Sequence, residues 1–168
     1  MPTADAESPA YIGLGANLGD APATVHAALR ALAGLPGSRL QQASSLYRSA
    51  PVQARGPDFY NAAALLHTGL SPQALLTQLQ AIEQQFGRQR PYANAPRTLD
   101  LDLLLYGNRM IQTPALTVPH PRLHQRAFVL LPLLELSPAL HAPGLGALSQ
   151  WLAATTTQAI EKVPMPSR

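Results

Sequence analysis

Pro96-Arg97-Thr98-Leu99-Asp100-Leu101-Asp102-Leu103-Leu104 decides how this 168-residue chain is read. Aspartate and leucine alternate at the period of a β-strand, so Asp100 and Asp102 point to one face while Leu99, Leu101 and Leu103 point to the other. The strand covers residues 98–106 and stops at Gly107-Asn108. Before it lies a loop, 88–96. Before that, Ser71 caps a helix that Pro72 opens, with Leu75, Leu76, Leu79, Ile82 and Phe86 as its apolar stripe and Gly87 as its stop. Residues 59–68 read as a strand, 49–58 as a loop and 39–48 as another strand. Residues 11–16 form the first strand, and a helix capped by Asp20 carries Val25, Leu29 and Leu32 at helical spacing until Gly34. The order strand-helix-strand-strand-helix-strand predicts a ferredoxin-like α+β fold: a βαββαβ antiparallel sheet with helices on one face and the other free for a site. After residue 106 the chain adds a small hairpin (111–118) and helices at 125–136 and 145–154. Residues 1–168 read as a single domain.

Composition narrows the chemistry. The chain has 46% apolar and 12% charged residues and no cysteine, which excludes a disordered chain, a disulfide scaffold, a thiolate nucleophile and a Cys-ligated metal. Lys162 is the only lysine, so neither a P-loop nor a Schiff-base lysine is available. The first ten residues are polar and acidic, and the longest apolar run, 127–134, is far short of the ~20 residues that span a bilayer. A cytoplasmic protein is expected, with no membrane partner.

The positive charge is clustered. Arg88, Arg90, Arg97, Arg109, Arg122 and Arg126, half of the twelve basic residues, share residues 88–126 with only two acids, Asp100 and Asp102. Two carboxylates on one face of an apolar strand repel each other, and a divalent cation removes that repulsion; oxygen-only ligands suit Mg²⁺, which completes its shell with water and phosphate oxygens. Forked guanidinium groups suit the phosphates themselves. The competing reading is a solvated strand face with surface arginines. Phe59 and Asn61 also share a strand face, and a ring plus a carboxamide can stack on and edge-bond a flat heterocycle. Phe128 is a second candidate ring, although each could equally be core.

Other patterns fail. Residues 13–19 have Leu18 where a dinucleotide fingerprint needs glycine. His120 and His124 are separated by Pro121, and His120 has no glutamate beside it, so the zincin pattern is absent.

Six segments in order resemble the 6-hydroxymethyl-7,8-dihydropterin pyrophosphokinase family, over about residues 11–140. They are Gly15-Ala16-Asn17-Leu18-Gly19, Leu46-Tyr47-Arg48-Ser49, Asp58-Phe59-Tyr60-Asn61-Ala62, Glu83-Gln84-Gln85-Phe86-Gly87-Arg88, Ala95-Pro96-Arg97-Thr98-Leu99-Asp100-Leu101-Asp102 and Leu116-Thr117-Val118-Pro119-His120-Pro121-Arg122. The resemblance implies transfer of pyrophosphate from ATP to the pterin hydroxymethyl group, with release of AMP, in tetrahydrofolate biosynthesis. It implies that Asp100 and Asp102 hold two Mg²⁺ ions, with Arg88 and Arg97 also catalytic. Phe59 and Phe128 would sandwich the pterin and Asn61 would bond its edge, helped by Ser49, Ala50 and Val52. Gln80, Glu83, Arg88, Arg90, Arg97, Leu103, Thr117, His120 and Arg126 would lie at ATP positions. Ala115 and Pro121 depart from residues seen in some relatives, and the loop 90–97 is shorter than in some, so ATP affinity is expected to differ.

The small-molecule partners are thus ATP and the pterin, with no nucleic acid and a monomeric chain expected. The rival is an RNA-binding module, which this strand order also serves. Against it, Asp100 and Asp102 would repel phosphates unless a metal lay between them.

Overall fold

A computed structural model describes residues 7–50, 57–87 and 99–163. β1 (Ser8–Ala16) leads into α1 (Ala21–Ala33), which starts where the Ala23 amide donates to Asp20 and ends at Gly34. β2 (Ser38–Ala43) and β3 (Tyr47–Ser49) follow, then β4 (Phe59–Thr68) and α2 (Pro72–Gly87), whose first turn is capped by Ser71 accepting from the Ala74 amide. β5 (Asp100–Tyr106) completes the unit. β1 lies between β4 and β5, all antiparallel, and β2 and β3 both pair with β4. This is the expected βαββαβ sheet.

The expected strand over 39–48 is two strands. Ser44 interrupts it: its amide donates to the Ala63 carbonyl and its hydroxyl accepts from the Ala63 amide, which occupies the ladder with side-chain bonding. Beyond β5 come β6 (Ile111–Gln112) and β7 (Thr117–Val118), which form the expected hairpin, and α3 (Ala127–Leu136). β8 (His141–Ala142) pairs with β9 (Gly146–Ala147), a 3₁₀ helix covers Leu148–Thr155, and β10 (Ile160–Lys162) adds an outer strand beside β3. The helix expected near 145–154 is therefore 3₁₀. β8, β9 and β10 had no counterpart in the sequence reading.

Strand alternation divides the core in two. Ala10, Ile12 and Leu14 of β1, Ala62, Ala64 and Leu66 of β4, and Leu101 and Leu103 of β5 pack under α1 and α2 with Val25, Leu32, Leu75 and Leu79. Tyr11, Ala63, Leu104 and Leu105 face the opposite way, against Leu130 and Leu133 of α3 and Leu148. Tyr11 pairs with Leu105 and the next residue, Ile12, with Leu103, so Leu104 is the extra residue of a bulge in β5, and both Leu104 and Leu105 turn toward α3. The C-terminal elements therefore cover one end of the second face. The end carrying Asp100 and Asp102 borders a cavity.

α3 is tied to the sheet edge by Glu135. Its carboxylate accepts from the Tyr47 hydroxyl at 2.7 Å and from the amide and hydroxyl of Ser45 at 3.0 and 2.9 Å. Burial raises the Tyr47 hydroxyl pKa above its usual range, and the Glu135 bond and charge add to that. Partial burial alone would raise the Glu135 carboxyl, but the bonds from Tyr47 and Ser45, with Lys162 nearby, hold it below its ordinary value of 4.5. Its stabilising contribution is complete above that value and fades as pH falls through the lower folded one. Glu135→Gln should therefore lower the thermal midpoint at pH 7, and the difference from wild type should narrow progressively in melts taken at pH values below 4.5. A gap that stays constant with pH would contradict the assignment.

Candidate active site

The strand register builds the site's floor. Asn61 of β4 pairs with Gly15 of β1, and Gly15 pairs with Asp100 of β5; one step along, Ala63, Gly13 and Asp102 form the next row. Both central positions are glycine. With strands about 4.8 Å apart, the carboxylates and the carboxamide stand roughly 10 Å apart across a strip without side chains. A Cβ on Gly15 would come within 3.0 Å of the Asn61 Oδ1, and one on Gly13 within 3.3 Å of Leu104. From the sequence, Gly13 and Gly15 are placed only within the first strand and in a failed dinucleotide fingerprint. Their use follows only from the pairing.

Above this floor is a cavity of about 660 Å³, a volume suited to a small organic ligand. It brings together eight residues expected from the sequence: Ser49, Ala50, Phe59, Asn61, Asp100, Asp102, Arg126 and Phe128. Asn61 is buried, and its Nδ2 donates to the Ser49 hydroxyl at 3.1 Å, which fixes the carboxamide plane. The Arg126 guanidinium lies 5.4 Å from the centre of the Phe128 ring. One wall is thus polar and aromatic, and the other carries two carboxylates.

The remaining expectations fall elsewhere. Val52, Arg88, Arg90 and Arg97 lie outside the described residues. The Leu103 side chain is buried under the helices, on the face away from the cavity, because it shares strand parity with Leu101. Gln80 is exposed on α2 and Thr117 lies on β7, neither of them on the cavity wall. Glu83 reaches β5 from the end of α2, where its Oε2 accepts from the Leu101 amide at 2.8 Å, between the two aspartates in sequence. His120 borders β5, its amide donating to the Leu104 carbonyl at 3.0 Å. Burial lowers the His120 pKa; Arg126 and Arg122 add to the effect and Asp102 opposes it. Arg122, Gln125, Gln158 and the two glycines also line the cavity. Arg122 belongs to the arginine cluster visible in the sequence, whereas no local pattern marks Gln125 or Gln158.

No group of three or more His, Asp or Glu side chains gathers into a metal cage among the described residues. The Asp100–Asp102 pair instead fits a hard cation that takes most of its shell from water and a bound phosphate chain, as Mg²⁺ does. No described helix is long and apolar enough to cross a membrane.

A dicarboxylate wall facing an aromatic and carboxamide wall, on a βαββαβ sheet, is the arrangement suited to an enzyme of the kinase class that takes a flat heterocycle. The sequence pattern of the family described as 7,8-dihydro-6-hydroxymethylpterin-pyrophosphokinase (HPPK) matches residues 11–138. The 2-amino-4-hydroxy-6-hydroxymethyldihydropteridine pyrophosphokinase of Pseudomonas aeruginosa is 45% identical over 155 residues, 92% of this chain and 96% of that protein. The protein of the same name from Haemophilus influenzae is 47% identical over 135 residues, 80% of this chain and 84% of its own. Among solved structures, an HPPK-DHPS in complex with substrates superposes with a TM-score of 0.72 at 13% identity, over 88% of this chain and 43% of that one. That likeness concerns the fold. The chain belongs to the 7,8-dihydro-6-hydroxymethylpterin-pyrophosphokinase family.

Proposed function

We infer that this chain transfers the pyrophosphoryl group of ATP to the hydroxymethyl oxygen of 6-hydroxymethyl-7,8-dihydropterin and releases AMP, a step of folate biosynthesis. The observation that carries the reading is the single cavity in which Asp100 and Asp102 face Phe59, Asn61 and Phe128 across a glycine floor. The pterin ring lies between Phe59 and Phe128, with the Asn61 carboxamide on its polar edge. Its hydroxymethyl group then points along the floor toward β5. The hydroxyl oxygen forms a bond to the β-phosphorus, the bond from that phosphorus to the oxygen it shares with the α-phosphorus breaks, and AMP leaves with that oxygen. The hydroxyl proton passes to solvent.

Asp100 and Asp102 would hold two Mg²⁺ ions. When bound, Mg²⁺ neutralises the phosphate charge and lowers the pKa of a hydroxyl it contacts. Arg126 and Arg122, which line the same cavity, add fixed positive charge to it. Burial and these arginines lower the His120 pKa, and its Nδ1 accepts from the Arg122 amide at 3.1 Å. Glu83 fixes the backbone of β5 and acts on the aspartates through their strand.

The reaction is tested by incubating the protein with ATP, Mg²⁺ and the pterin and separating the nucleotides. Pterin-dependent AMP in step with a pterin diphosphate is expected; ADP in its place would overturn the reading. The glycine floor gives a separate test. Gly15→Ala should raise the pterin KM about tenfold, because the new methyl group pushes the Asn61 Oδ1 aside. An unchanged KM would show that the carboxamide does not need its observed position.

A further inference from the structure

We propose that the C-terminal segment 158–163 is a strap joining the two walls of the heterocycle slot, with Gln158 as its positioning residue. The proposal rests on the pterin reading above. One end of the strap is fixed to the sheet. β10 pairs with β3 through Ile160–Ser49, Glu161–Arg48 and Lys162–Tyr47, and the Val163 amide donates to the Leu46 carbonyl at 2.8 Å. Arg48 donates to Glu161 at 2.7 Å on the same pair of strands. β3 carries Ser49, whose hydroxyl orients Asn61, and Ser49 pairs directly with Phe59. The sheet-side wall of the slot is therefore the strand on which the strap is seated.

The other end holds α3. A helix begins with amides that have no intrahelical acceptor, and a Ser, Thr, Asp or Asn at the N-cap usually supplies one. Here the N-cap is Arg126, which makes no capping bond with its side chain. Gln158 takes over that role from a distant part of the chain. Its Oε1 accepts from the Ala127 amide at 2.8 Å, and its Nε2 donates to the Gln125 carbonyl at 2.8 Å. The two bonds straddle Arg126, leaving the guanidinium in the cavity and over Phe128. Gln158 itself borders the cavity. A residue with one acceptor and one donor is needed, since the backbone offers an amide on one side and a carbonyl on the other.

The test uses the full chain with Mg²⁺ and a non-hydrolysable ATP analogue, titrated with fluorescent 6-hydroxymethylpterin, alongside thermal melts. Gln158→Ala should weaken pterin binding about tenfold while the melting midpoint falls by only about 4–8 °C, leaving the chain folded at the titration temperature. Gln158→Glu keeps the acceptor for Ala127 but sets an oxygen against the Gln125 carbonyl, so its affinity should fall between the two. Wild-type affinity in Gln158→Ala, or a loss that only reflects a chain unfolded at the titration temperature, would overturn the strap alone. A wild-type chain that binds no pterin would overturn the functional reading and the strap's role together.

Discussion

Asp102→Asn should lower kcat about a thousandfold while the pterin Kd changes by less than about threefold. The substitution is nearly isosteric, so β5 keeps its pairing with β1, where Asp102 sits opposite Gly13. What it removes is a negative charge on the wall away from the pterin slot. In the proposed reading ground-state pterin binding depends on Phe59, Asn61 and Phe128, so it should be nearly untouched. The interaction lost is one that counts most when charge moves between phosphates, and so it appears in kcat. Steady-state kinetics together with pterin fluorescence titration separate the two. Equal losses in kcat and pterin affinity would mean that Asp102 shapes the slot and does not hold the phosphate-bound cation.

Asn61→Ala should produce the complementary result, a pterin Kd raised about a hundredfold with a smaller effect on ATP-analogue binding. Sites that hydrogen-bond a ligand edge lose heavily when that bond is deleted, because the polar edge is then buried without a partner. Asn61 is buried and its carboxamide is fixed by Ser49, so no neighbour can take its place without moving β3. Titration calorimetry with each ligand separately would measure both effects. A loss below about threefold would put the recognition of the pterin edge on the backbone near Ala50.

The parts of the fold legible in the sequence were those with a local signal. β4 coincides with the expected 59–68, and α2 begins and ends at its predicted Pro72 and Gly87 because cap, proline and glycine mark both ends. Asp100 and Asp102 were found from alternation alone, and alternation also put Leu103 on the far face, where it is buried. The resemblance nevertheless suggested an ATP role for Leu103, whose side chain strand parity turns away from the cavity. β10 was missed because three residues, Ile160, Glu161 and Lys162, carry no pattern and become a strand only by pairing with β3. The roles of Gln158 and of Gly13 and Gly15 are likewise set by neighbours distant in sequence. The pairing of Asp100 and Asp102 on one strand face was therefore readable from a short motif, whereas the cavity's floor and its C-terminal closure depend on tertiary pairing.

Everything else rests on Asp100 and Asp102 holding the divalent ions through which the sheet grips the triphosphate. Counting bound Mn²⁺ by electron paramagnetic resonance, with a non-hydrolysable ATP analogue and the pterin present, tests this directly. The wild-type chain should hold about two ions per protein, and Asp100→Asn with Asp102→Asn should hold fewer, with pterin affinity retained. Equal ion counts in the wild-type and doubly substituted chains would contradict it.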